Sequence, residues 1–152
     1  MANIVITGAA GRIGSCIAAQ LLARGDQVTG VDLQPARLTQ PGYRHIECRF
    51  DCPARVQEII AGADVVVHTG ALMSWHPKDN VAMFHANVTA TRLLLEAAKN
   101  QRVARFVFAS SGEVYPEVRA HSLPVTEDHP RNPISFYGLT KLLGEELVQF
   151  WQ

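Results

Sequence analysis

Surplus charge is missing from this sequence. Its 14 basic residues are matched by 14 acidic ones, and the formal net charge at pH 7 is zero. With no basic stripe, nucleic acid is excluded as an expected partner. Long hydrophobic runs are missing too. The most apolar stretches, such as ADVVVH at 63–68, have the length of a strand and fall far short of a membrane span. The first residues, MANIVITGAAG, lack a charged n-region and a cleavage site, so no signal peptide is read and a cytoplasmic location is expected. Cysteine is scarce. Cys16, Cys48 and Cys52 are odd in number, and their spacing fits neither a disulfide framework nor a zinc knuckle, so reduced thiols are expected. The six histidines show no metal-binding spacing, and no repeat or low-complexity segment is present.

What is present suits one domain with a real core: 152 residues, 47% of them hydrophobic. Strand-length apolar runs alternate with helix-period stretches. Strands are predicted at 3–7, 27–32, 43–48, 64–68 and 103–111. Helices are predicted from Ile13 to Gly25, at 53–61 between Pro53 and Gly62, at 79–99, and from about 134 onward. This alternation predicts an α/β fold, a doubly wound parallel sheet with helices on both faces and right-handed crossovers, over residues 1–152. Ligands of such sheets bind beyond the carboxyl ends of the strands, at the topological switch point.

The residues at those ends carry recognisable chemistry. TGAAGRIG puts Gly8, Gly11 and Gly14 between the first strand and the first helix. Gly8 allows the tight turn, Gly11 lets backbone approach a pyrophosphate, and Gly14 lets the helix pack on the sheet. The helix N-terminus then offers free N–H groups to phosphate. Ala10, Arg12 and Ile13 belong to the same turn. Asp32 ends the second strand 24 residues after Gly8, where an acid accepts hydrogen bonds from ribose hydroxyls and repels a 2′-phosphate. The expected cofactor is therefore NAD, with NADP kept open by Arg12 and Arg37.

Near the other end, SFYGLTKLLGEEL sets Tyr137 and Lys141 four residues apart on one helical face. Lowering a phenol pKa by about three units takes ~4 kcal/mol. One ammonium about 4 Å away supplies ~4 kcal/mol at an effective dielectric of about 20. The pair is thus suited to proton transfer at a substrate hydroxyl or carbonyl. Ser111, at a strand end on the same sheet edge, can bond the reacting oxygen, and Ser110 can share that role. His68 reads as a packed, hydrogen-bonded strand-end residue. His45, His121 and His129 read as solvated, and MSWHP at 73–77 reads as a substrate-facing or surface loop.

Together TGAAGRIG, Asp32, Asp51, HANVTATRLLLEAA, FVFASSGEVYP and YGLTK resemble the extended short-chain dehydrogenase/reductase superfamily, in its NAD-dependent epimerase/dehydratase group. The resemblance implies a Rossmann fold that binds NAD, with Ser111, Tyr137 and Lys141 as catalytic triad. It implies that Asp51 and Cys52 lie by the adenine ring. It implies that Thr69, Gly70 and Ala71 form the loop under the cofactor phosphates and ribose, and that Asn87 supports the site. Three positions depart from the family pattern: HTGA at 68–71 where His-Leu-Ala-Ala is usual, and Ala90 and Pro116 where glycine is usual.

The function implied is an oxidoreductase or epimerase of a sugar, sugar nucleotide or related secondary alcohol. Two alternatives are a non-catalytic dinucleotide sensor and a sugar-nucleotide dehydratase. The dehydratase would use Glu113 as base, but Gly112 stands where its acid is usual. Relatives of this kind run about twice as long, so the chain is expected to be truncated before a C-terminal substrate lobe. It is also expected to self-associate through an apolar stripe of Leu142, Leu143, Leu147, Val148, Phe150 and Trp151.

Overall fold

The computed structural model describes residues 1–116 and 123–151; His121 lies outside the described residues. Its elements are β1 (Asn3–Thr7), α1 (Arg12–Ala23), β2 (Gln27–Asp32), β3 (Tyr43–Glu47), α2 (Pro53–Ile60), β4 (Val65–His68), α3 (Asn80–Phe84), α4 (Ala90–Asn100), β5 (Arg105–Phe108) and α5 (Phe136–Phe150). The five strands form one parallel sheet in the order β3-β2-β1-β4-β5. Connections run outward in one direction from β1 and in the other from β4. The switch point therefore lies between the carboxyl ends of these two strands, where Thr7 pairs with His68. The expected Rossmann-like architecture is the one observed.

Alternation along the strands builds two cores. Val5, Val31 and Val66 point to one face and pack with Val56, Ile59 and Ile60 of α2 and Leu93, Leu94 and Ala97 of α4. Ile4, Ile6, Val28 and Val67 point to the other, against Ala18, Ile17, Leu21 and Leu22 of α1. Burial of both faces explains why β1 and β4 read as continuous apolar runs. Gly25 ends α1 at φ +92°, its N–H bonded to the Leu22 carbonyl at 2.9 Å, and Pro53 opens α2.

Two elements differ from expectation. The helix predicted at 79–99 is α3 and α4 joined by a π-helical turn, His85–Thr89. Such turns are frequent at functional sites, and this one carries Asn87. The strand predicted at 103–111 is paired only over Arg105–Phe108, because its neighbour β4 ends at His68. Ala109 N–H still donates to the His68 carbonyl at 3.0 Å, and residues 110–111 leave the ladder at the carboxyl edge of the sheet. On α5, Leu142, Leu143, Leu147, Val148 and Trp151 of the predicted stripe are half-buried, whereas Phe150 is 77% exposed.

Gly14 shows how tightly the first helix is seated. A Cβ there would lie 2.3 Å from the Gly8 carbonyl oxygen and 2.9 Å from Thr69 Oγ1. Alanine gains up to ~1 kcal/mol of helix propensity, but overlap with fixed backbone costs ~1–3 kcal/mol. Gly14→Ala should therefore lower Tm by several degrees, at about 2–4 °C per kcal/mol for a chain of this size. Gly112→Ala, whose Cβ would meet nothing within 4 Å, should leave Tm unchanged. Equal melting of Gly14→Ala and wild type by calorimetry would contradict this packing.

Candidate active site

The glycine turn is held from behind by β2 and from the side by the segment after β4. Gly8 N–H donates to the Val31 carbonyl at 2.8 Å, and Gly8 sits at φ +69°. A Cβ on Gly8 would lie 2.6 Å from the Gly70 nitrogen. Backbone thus touches backbone across the switch point, which only glycine permits. At Gly11, the N-cap of α1, no side chain caps the helix, and its first turn holds no acid. The amides of that turn are left for an external anion, next to the exposed Arg12 and Ile13. An uncapped helix start beside a turn whose Gly8 and Gly11 carry no Cβ fits a dinucleotide pyrophosphate.

Asp32 ties this turn to the end of β2. Its two oxygens accept from Ala10 N–H at 2.9 Å and Gln34 N–H at 3.0 Å. Each oxygen keeps a further acceptor site, which fits ribose hydroxyls. Asp51 and Cys52 sit exposed just before α2, where Cys52 is an N-cap without a side-chain bond.

The segment after β4 forms the second wall. Thr69 Oγ1 donates to the Thr7 carbonyl at 2.7 Å, and Gly70 N–H donates to Thr7 Oγ1 at 3.2 Å. The departure from His-Leu-Ala-Ala therefore has a local reason. The threonine hydroxyl stitches β4 to β1, and Gly70 gives the room that Gly8 needs. Ala71 follows, exposed. Asn87, 2% exposed, closes the wall: its oxygen accepts from Leu72 N–H at 2.7 Å, and its amide donates to the Leu72 carbonyl at 2.8 Å and to Thr140 Oγ1 at 2.9 Å. Thr140 in turn donates to the Tyr137 carbonyl at 2.7 Å.

α5 brings Tyr137 and Lys141 to the same edge as Ser111. Ser135 caps the helix, accepting from Gly138 N–H at 2.8 Å and donating to Glu113 Oε2 at 2.5 Å. Gly138 lets the helix press on the turn after β5, since a Cβ there would lie 2.2 Å from the Glu113 carbonyl oxygen. Glu113 is therefore a half-buried, bonded carboxylate. Ser111 Oγ accepts from Glu113 N–H at 3.2 Å and stands beside the phenol of Tyr137. Ser110 instead donates to Glu145, one helical turn beyond Lys141. His76 and His85 are exposed, and His45 and His129 are half-buried.

The electrostatics differ from the simple phenol–ammonium pair. Burial, then the Glu113 charge, pushes the Tyr137 phenol above its usual value, and the Ser111 hydroxyl pulls it back. The expected downward pull of Lys141 is not part of this balance. The Lys141 ammonium stands 4.2 Å over the ring of Phe108. Lys141 is only 3% exposed, and burial pushes its pKa down to about 8, with Glu145 acting the other way. Glu145 is itself bonded by Arg131 at 2.8 Å.

Residues 4–152 match the model of the NAD dependent epimerase/dehydratase family. The chain belongs to that family. A short-chain dehydrogenase/reductase superfamily protein from Agrobacterium tumefaciens with bound NAD is 51% identical, with a TM-score of 0.89 over 97% of this chain and 44% of that one. A uronate dehydrogenase of Pseudomonas putida is 28% identical over 98% of this chain and 55% of its own length. UDP-glucose 4-epimerase of Drosophila melanogaster is 34% identical over 97% of this chain and 47% of its own. The chain spans about half the length of the curated relatives it matches.

For this epimerase/dehydratase-family chain, sequence reasoning missed Thr140, the hydroxyl linking Asn87 to Tyr137, although a threonine three residues after Tyr137 on the same helix was a readable signal. It also missed Ser135, a helix-capping serine three residues before Gly138.

Lys141 allows a test by pH. Its folded pKa, about 8, lies below the unfolded value of 10.5. The folded state therefore bears a penalty for the charged amine that is complete below pH 8 and gone above about 10.5, worth ~3 kcal/mol at most. Lys141→Met should be more stable than wild type at pH 7, and the difference should shrink as pH rises through 8 toward 10.5. Denaturant unfolding at the two ends of that window measures it; a difference that stays constant would contradict a buried ammonium.

Proposed function

We propose that this chain carries the NAD-binding half and the proton-transfer site of an oxidoreductase or epimerase acting on a secondary alcohol of a sugar, uronic acid or sugar nucleotide. The observation that carries this reading is one juxtaposition. Ser111, Tyr137 and Lys141 gather at the carboxyl edge of the sheet that also presents the uncapped start of α1. The relatives named above, a uronate dehydrogenase, a UDP-glucose epimerase and an NAD-bound structure, support the substrate class and the cofactor.

NAD, when bound, supplies the hydride acceptor. The first-turn amides of α1 and the Gly8–Gly14 turn would hold its phosphates, Asp32 would accept from its adenosine ribose, and the Thr69–Ala71 segment would wall the same crevice. Tyr137 exchanges the proton of the substrate hydroxyl, and Ser111 Oγ holds the same oxygen in line with the phenol. With its pKa raised, the resting phenol is a ready acid for a carbonyl. To serve as base it needs positive charge, which Lys141, one turn away, brings by moving its ammonium from the Phe108 ring toward the phenol. Asn87 and Thr140 keep the backbone of Tyr137 fixed meanwhile. Glu113 is bonded to Ser135 and pressed under Gly138, a supporting role that favours alcohol oxidation or epimerisation over dehydration. The exposed Phe150 supports self-association through α5, which light scattering tests directly.

Calorimetry with NAD and NADP tests the cofactor reading. NAD should bind at least about tenfold more tightly, since Asp32 repels a 2′-phosphate, and Asp32→Asn should narrow the gap. Tyr137→Phe should keep NADH binding, followed by fluorescence, and lower turnover of uronic acids or sugar nucleotides by a factor on the order of 10² or more. Absent NAD binding, or a preference for NADP, would overturn the reading.

A further inference from the structure

His68 is a buried titratable side chain that the proposed chemistry does not use. It is 2% exposed at the end of β4, its ring centroid 5.6 Å from that of Phe108, on which Lys141 stands. Both ring nitrogens are engaged, Nδ1 with Thr7 Oγ1 at 2.5 Å and Nε2 with Thr91 Oγ1 at 2.9 Å. The partners decide which nitrogen carries the proton. Thr91 has already given its hydroxyl proton to the Asn87 carbonyl, at 2.5 Å. A carbonyl can only accept, so Thr91 Oγ1 must accept from Nε2–H. Thr7 Oγ1 already receives Gly70 N–H, which leaves its own proton for Nδ1. The opposite tautomer would set lone pair against lone pair at Thr91.

The bonds therefore run in one sense, from Gly70 N–H to Thr7, from Thr7 to His68, from His68 to Thr91, and from Thr91 to the Asn87 carbonyl. Thr91 reaches back four residues along its helix, a bond that bends helices, and it does so at the π-helical turn holding Asn87. The Asn87 side chain uses both amide protons and its oxygen on Leu72 and Thr140. Thr140 continues to the Tyr137 carbonyl.

We propose that His68, locked as the neutral Nε2–H tautomer, is a positioning residue. It fixes the π-helical turn, so that Asn87 holds the Gly70–Leu72 wall and the Tyr137–Lys141 helix in register with each other. Burial and the nearby Lys141 charge, which push the His68 pKa down to about 3, keep the ring neutral. An imidazolium would take away the Nδ1 acceptor of the Thr7 hydroxyl proton and place a second cation beside Phe108. The functional part of this inference rests on the reading of Tyr137 as the proton-transfer group; the tautomer and the coupling to Asn87 do not.

The test separates the two. In the wild-type chain labelled with ¹⁵N-histidine, long-range ¹H–¹⁵N correlation at neutral pH should show His68 Nε2 as the protonated, pyrrole-like nitrogen and Nδ1 as the bare one. The Asn87 side-chain amide, assigned by its loss in Asn87→Asp, should exchange slowly with solvent. His68→Phe, which keeps a ring but no donor, should release that protection and weaken NADH binding roughly tenfold. His68→Gln, whose amide can reach Thr91, should recover most of both. A protonated Nδ1, or an Asn87 amide equally protected in His68→Phe, would overturn the proposal. Should His68→Phe fail to fold, the wild-type spectrum and His68→Gln still decide it. Should wild type bind no NADH, the proposed function falls while the spectrum still judges the tautomer.

Discussion

The structure turns on one close approach, the backbone of Gly8 against the backbone of Gly70 at the switch point of the sheet. β1 and β4 run side by side, and the chain leaves them in opposite directions. A crevice must open there, and how near its two walls come is set by side chains that are missing. With a Cβ at Gly8 or Gly14, the turn would be driven off Gly70 or off the helix it starts. With neither, α1 begins in the crevice with its first amides uncapped. The same approach lets Thr7 bond to both Gly70 and His68, so the apolar centre of the sheet and the polar rim of the site share one residue.

From that point the site is organised by hydrogen bonds more than by charge. Asp32 holds the first wall, Asn87 the second, and Thr140 passes the second to the helix of Tyr137. No buried side-chain nitrogen or oxygen among the described residues lacks a partner. A fully satisfied buried network is rigid, because each broken bond leaves an orphan that costs about 1–3 kcal/mol. Charge is concentrated at the Tyr137–Lys141 end. There a buried ammonium lies over an aromatic ring, and a raised phenol sits beside a serine. In the proposed reaction this resting balance favours proton donation by Tyr137, and motion of the Lys141 ammonium toward the phenol reverses it.

Much of this was legible in the residues. Strand-length apolar runs placed all five strands of the described residues, because burial on two faces leaves such runs unbroken, and period-3.6 patterning placed α1, α2 and α5 and merged α3 with α4. The glycine turn and Asp32 were readable because their spacing follows from geometry, and His68 was readable as a packed strand end. The π-helical turn was not, since HANVTATRLLLEAA has unbroken helical periodicity; the Thr91 hydroxyl that bonds the Asn87 carbonyl there also meets His68, 23 residues away, a contact no local pattern reveals. The electrostatics of Tyr137 were misjudged for a similar reason. Helical spacing brings Lys141 to the right face, but Phe108 from another element captures its ammonium. Local pattern is visible in a sequence, whereas competition between distant partners for one donor is not.

The central claim is that a dinucleotide seats its pyrophosphate on the start of α1, between the glycine turn and the Thr69–Ala71 wall. Backbone amide shifts on adding NAD to the ¹⁵N-labelled chain test it most directly. The account predicts the largest changes at Gly8 to Gly14, at Asp32 and at Thr69 to Leu72, with smaller ones at Ser111 and Tyr137. Saturable changes confined to other surfaces, with the glycine turn unmoved, would contradict it.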